Sequence, residues 1–91
     1  MEIVQNAVAG TLESNDVFVS VEPGQGKLDI VVQSIVFEQF GKDIFNAAQE
    51  VCVQLRVENA SLRLEDRGAL DCTIKARVET ALKRAGEVNN A

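Results

Sequence analysis

The stretch VFVSVEPGQGKLDIVVQSIVFEQFGKDIFNAAQEVCVQL, residues 17–55, decides the fold, because the spacing of its apolar residues changes partway along. Val17, Val19 and Val21 alternate with Phe18, Ser20 and Glu22, which places the two sets on opposite faces of a strand. Pro23, Gly24, Gln25 and Gly26 supply a turn, after which Leu28, Ile30 and Val32 resume the alternation. Beyond Ser34 the spacing lengthens: Phe37, Phe40, Ile44, Ala48, Val51, Cys52 and Leu55 recur three or four residues apart, as on one face of an amphipathic helix. The pattern predicts a central helix over about residues 35–56, with Ser34 placed to cap it. Its apolar stripe is expected to cover a sheet as core rather than to line a ligand groove. Gly41, inside the stripe, is expected to mark a bend or a close packing contact.

Working outward, Ala7–Glu13 reads as a further strand with Val8 and Leu12 its bulkiest members, so the first third looks like a small antiparallel meander. On the other side, Ala60, Leu62 and Leu64 alternate with Ser61, Arg63 and Glu65 in a half-buried strand that Asp66, Arg67 and Gly68 end. From Leu70 two readings compete. Leu70, Cys72, Ile74, Ala76 and Val78 fit period two, whereas Leu70, Ile74, Val78, Ala81, Leu82 and Ala85 fit a helix. The helical set extends further and Asp71 can cap it, which predicts a C-terminal helix over about 71–85. Gly86 reads as its stop and 87–91 as a flexible tail. The fold class is α+β, a small antiparallel β-sheet covered by two helices, with 1–86 as one domain.

Composition narrows the function. Lys plus Arg number 9 against 14 Asp plus Glu, a net charge of −5, which argues against nucleic acid or an anionic membrane as partner. The chain has no histidine, tryptophan or tyrosine, so the commonest general base and metal ligand are missing. Cys52 and Cys72 lack the spacing of a zinc or redox pair and read as small buried hydrophobes. A disulfide between them stays open, although the lack of a signal peptide argues for a reducing, cytoplasmic setting.

Read from its residues alone, Ser14 is a small polar residue in a turn signal, Glu13 to Asp16, and such serines usually serve local hydrogen bonding. The runs AVAGTLESND (7–16), QFGKDI (39–44) and RGALDCTIKARVETAL (67–82) change that reading. In this order and separation they resemble the acyl carrier (gamma) subunit of citrate lyase, over nearly the whole chain to about Ala85. The chain departs from that family at Asn6, where a proline is expected, and in a more apolar helix start, IVFEQF. The resemblance implies a small mixed α and β carrier domain, not a four-helix-bundle carrier. It also implies that Ser14 is the covalent attachment point of a phosphoribosyl dephospho-coenzyme A group, joined through a phosphodiester by a dedicated prosthetic-group transferase.

The partners so implied are the citrate lyase alpha subunit, which exchanges an acetyl for a citryl thioester, and the beta subunit, which cleaves citryl to oxaloacetate. The carrier serves both and catalyses neither step, and its reactive sulfur belongs to the cofactor. Three alternatives stand beside this reading: the acyl carrier of malonate decarboxylase, an unmodified acidic interaction module, and a small thiol enzyme using Cys52 or Cys72. Glu13 and Asp16 are expected to be solvated turn residues, or charges that repel the phosphates of the arm. The charged run Asp66, Arg67, Asp71, Lys75 and Arg77 reads either as a solvated turn and helix face or as a docking surface.

Overall fold

A computed structural model describes residues 1–86; the predicted tail lies outside the described residues. The chain runs β1 (Ala7–Gly10), β2 (Val17–Pro23), β3 (Leu28–Ser34), α1 (Phe37–Gln54), β4 (Ala60–Asp66) and α2 (Asp71–Gly86). The α+β class and the sheet covered by two helices are as predicted, and both helix spans agree with the expected ones to within about two residues.

The strand arrangement differs from the expected antiparallel meander. The order is β1-β2-β4-β3, with β1 and β4 each antiparallel to β2 and β3 parallel to β4. The sheet is therefore mixed, and β4 occupies the place beside β2 that a hairpin would have given to β3. The Pro-Gly-Gln-Gly turn spans the width of that inserted strand, about two interstrand spacings of ~4.8 Å. It wraps the start of β4: the Ala60 N–H donates to the Lys27 carbonyl (3.1 Å) and the Gly26 N–H to Asn59 Oδ1 (2.8 Å). A parallel neighbour needs a long crossover, and α1 supplies it.

Registered rows cross the sheet. Ala7, Val21, Leu62 and Ile30 form one row, and Ala9, Val19, Leu64 and Val32 the next. The two central strands, β2 and β4, contribute fully buried members, while Ile30 and Val32 on the β3 edge are half-buried. Helix α2 packs over β1 and β2, and α1 over β3 and α2. Ile44, Ala47, Ala48, Val51 and Cys52 meet Ile74, Val78, Ala81, Leu82 and Ala85 in the same core.

The stripe on α1 is core only from Gly41 onward. Phe37 and Phe40, expected to be core, are about half exposed. Phe37 instead lies over Gly41, where a Cβ would come within 2.6 Å of its ring, so Gly41 makes the close contact that its position suggested. Neither expected cap forms. The cap position of α1 is Val36, with no side-chain bond, and the Ser34 hydroxyl accepts from the Val36 N–H while donating to Asp66. Asp71 is the first residue of α2, so its charge faces the helix dipole from inside the first turn. α1 ends in a Schellman motif: Arg56, at φ 56°, donates to the Val53 carbonyl and Val57 to that of Cys52.

Candidate functional site

Strand β1 stops at Gly10, earlier than Glu13, because Gly10 turns to φ 86° and the chain leaves the sheet. Residues 11–16 then form a loop whose last four make a β-turn, closed by the Asp16 N–H on the Glu13 carbonyl (3.2 Å). Ser14 is the second residue of this turn and Asn15 the third. Asn15 has φ 64°, the positive angle that a type II turn requires at its third position and that asparagine tolerates. The Ser14 side chain is exposed and makes no hydrogen bond among the described residues.

Beneath this free hydroxyl the loop is held from several sides. Asp16 is the hub: Thr11 Oγ1 donates to its Oδ2 (2.7 Å) and the Val17 N–H to its Oδ1 (2.8 Å). Arg77, on α2, reaches both carboxylate oxygens, with Nε at 3.0 Å and Nη2 at 3.3 Å. The backbone is tied as well, since Asn15 N–H donates to the Arg67 carbonyl (2.8 Å) and Arg67 N–H to that of Asp16 (2.9 Å). The arrangement can present one hydroxyl on a fixed turn; it offers no base to activate it.

Asp16 was expected to be a solvated turn residue or a phosphate-repelling charge. Its side chain is only 13% exposed and its charge is matched by Arg77, so both expectations are corrected. Glu13 is exposed, as expected. The guanidinium of Arg77, then the Thr11 hydroxyl, hold the Asp16 carboxyl at about 2, below its ordinary 3.8. A lowered pKa stabilises the fold above the unfolded value, and that contribution is lost as pH falls from about 4 to about 2. Arg77→Gln is expected to lower stability at neutral pH by roughly 1 kcal/mol, a modest figure because solvent reaches the arginine. The deficit should shrink through that acid window in urea titrations; a pH-independent deficit would contradict the clamp.

The charged run also resolves into separate roles. Asp66 is buried and accepts from Ser34 Oγ (2.8 Å), the Gly68 N–H (3.1 Å) and the Ala69 N–H (3.0 Å). It folds the turn between β4 and α2 on which Asn15 rests, so it is not a solvated turn residue. The signal for this was present, since Asp66 continues the inward alternation of Ala60, Leu62 and Leu64. Lys75 bridges Glu50 (2.7 Å) and Asp71 (3.1 Å), which raises its pKa.

Cys52 is buried, and burial pushes its thiol up to about 11, which keeps it neutral and unreactive. Cys72, expected to be buried, is exposed near the start of α2. Among the described residues no acidic or cysteine cluster is arranged to hold a metal, and no helix is long and apolar enough to cross a membrane.

The citrate lyase acyl carrier protein of Treponema denticola is 53% identical over 87 residues, covering 96% of this chain and 99% of that protein. This chain belongs to the citrate lyase acyl carrier protein family. The Clostridium perfringens member is 46% identical over 90 residues, covering 98% of this chain and 89% of its own length. Residues 4–85 match an acyl carrier family model described as malonate decarboxylase delta subunit (MdcD). A solved relative lies in the crystal structure of a Pseudomonas malonate decarboxylase hetero-tetramer in complex with malonate. It shares 26% identity at a TM-score of 0.71, over 94% of this chain and 93% of that one. This chain thus shares its fold with a chain of that malonate decarboxylase assembly, and as a member of its family it is an acyl carrier.

Proposed function

We propose that residues 1–86 act as one carrier domain of citrate lyase and that Ser14 bears its prosthetic group, phosphoribosyl dephospho-coenzyme A, through a phosphodiester. The observation that supports this most is the combination of an exposed, unengaged Ser14 hydroxyl with a turn tied down on every side by Asp16, Arg77 and the Arg67 backbone. A tether point needs access for the transferase and a fixed origin for the arm, and no general base of its own. These residues fit such a group: nothing covers the hydroxyl, and pairing with Arg77 keeps the Asp16 charge off the phosphodiester. When bound, the group would supply the thiol that carries acetyl and citryl as thioesters.

In this reading the chain is a non-catalytic subunit of a cytoplasmic complex. It meets the alpha subunit for acyl exchange, with release of acetate, and the beta subunit for cleavage to oxaloacetate. Its own residues hold the arm at one place, which makes delivery between active sites intramolecular. The similarity to the malonate decarboxylase chain favours one second reading, the carrier of that enzyme, and co-purification with lyase or decarboxylase subunits separates the two. The direct test is intact mass and peptide mapping of the chain made together with the citrate lyase transferase. The expected result is one adduct on the peptide containing Ser14; no adduct, or one elsewhere, rejects the assignment.

A further inference from the structure

Strand β2 begins, and strands β4 and β3 end, in a common row, Val17, Asp66 and Ser34. The Ser14 loop, residues 35–36 leading into α1, and residues 67–70 leading into α2 all leave from that row. Both helices therefore start at the end of the molecule that carries Ser14. The same end concentrates apolar side chains in water: Ile35 is 69% and Leu70 71% exposed, with Leu12, Phe37 and Phe40 about half exposed. A groove of about 630 Å³ opens there between the helix starts, lined by Phe40, Ile44, Ala47, Ala69, Leu70 and Ile74. Scattered apolar residues on a surface are ordinary, whereas a cluster beside a concave apolar wall marks a contact site.

The chemistry of the lining selects the occupant. On the carrier reading the tethered arm consists of phosphate, ribose and amide groups and ends in an acetyl or an anionic citryl group. The groove offers mostly methyl groups and ring faces, with Asn46 and the buried Asp66 also in its lining, and the acidic side chains at its rim are Asp43, Glu50 and Asp71. Lys75 pairs with the last two, while Asp43 and nearby Glu38 form no ion pair among the described residues. An apolar centre with a net acidic rim repels an anionic citryl group and the phosphates of the arm. It complements an apolar side chain flanked by lysine or arginine on another protein.

We propose that this groove, with the exposed Leu70 in its lining, docks the enzyme subunit that receives the Ser14-linked arm, and that this subunit inserts an apolar side chain flanked by basic residues. The inference rests on the carrier reading, because a subunit that takes the arm must approach the end from which the arm leaves. A patch beside the tether lets one encounter both dock the domain and deliver the arm, and keeps the effective concentration high.

The test uses the unmodified chain in a Ser14→Ala background, so that docking is read without attachment. Binding to the purified citrate lyase alpha and beta subunits is measured by calorimetry at low and high salt. Phe40→Ser with Leu70→Ser is expected to weaken binding to at least one subunit by roughly tenfold or more, as loss of a central apolar anchor does. Raising salt should weaken the parent chain too. Val53→Ser, 70% exposed near the far end of α1, should bind as the parent does. Leu70 lies outside the helices, so Leu70→Ser alone carries the test should the double variant unfold.

Equal binding by the folded variant, or no binding by the parent chain to either subunit, overturns the proposal. So does a dimer of the chain alone that Leu70→Ser dissociates, or groove resonances that move on loading the arm and not on adding subunits. A chain that docks as expected while peptide mapping finds no adduct on Ser14 would retain the docking site and reject the attachment site.

Discussion

Ser14→Ala, produced together with the transferase, is expected to keep its unmodified mass and to support no citrate cleavage when mixed with the alpha and beta subunits, while folding as the parent does. The two halves of this result have one cause. The Ser14 hydroxyl is exposed and takes part in none of the bonds that hold its turn; these run through Thr11, Asp16, Arg67 and Arg77. Removing it deletes the only atom to which the arm would be joined and no internal contact, so stability should change by less than about 0.5 kcal/mol. Intact mass, urea denaturation and citrate cleavage by the reconstituted complex read the three quantities separately. An adduct that persists in the variant moves the attachment elsewhere. A large loss of stability would mean that Ser14 is a structural turn residue.

Gly10→Ala is expected to do the reverse, damaging the fold first and the site in consequence. Gly10 has φ 86°, and a Cβ there would stand 1.8 Å from the Val17 carbonyl oxygen and 3.3 Å from Arg77 Cδ. Both the unfavourable backbone angle and the collision act at the point where β1 hands over to the serine loop. The Gly10–Phe18 pairing has to open, and the Asp16–Arg77 contact shifts with it. A cost of roughly 2–4 kcal/mol follows, a large part of the 5–15 kcal/mol typical of a small domain. Gly26→Ala is the comparison: its φ is 98° but nothing lies within 4 Å of the added Cβ, so only the backbone term remains, about 1 kcal/mol. Urea midpoints and amide exchange at Phe18 measure the difference; equal losses in the two variants would show that the collision relaxes at no cost.

The bonds that hold the turn thus come from other residues than the one whose hydroxyl is exposed. The family resemblance singled out the serine, and Asp16 and Arg77 were read as separate charged residues. Thr11 and Asp16 lie close to it in the chain, but Asp16 and Arg77 are 61 positions apart, and no periodicity connects them. The turn itself was legible from Glu13 to Asp16, because Ser, Asn and Asp favour turn geometry whatever surrounds them. What held the turn was not, since the partner of a carboxylate depends on which helix the fold lays beside it.

The same division runs through the whole molecule. Alternation by itself specified β2 and β4, and the three-to-four spacing specified α1, because burial on one face writes a period into the residues of a single element. It also separated α2 from a competing strand reading through the extra apolar positions Ala81, Leu82 and Ala85. Period carries no information about neighbours, so the insertion of β4 between β2 and β3 and the parallel pairing with β3 were decided only when α1 crossed over the sheet. Nor could it say how much of a helix's stripe is covered. Phe37 and Phe40 share the stripe of Ile44, yet at the start of α1 they remain about half exposed. The amino-acid sequence thus determined the elements and the turn that holds Ser14; the tertiary structure decided what surrounds that serine, because nonlocal packing alone brings Arg77, Asp66 and the two helix starts to one end.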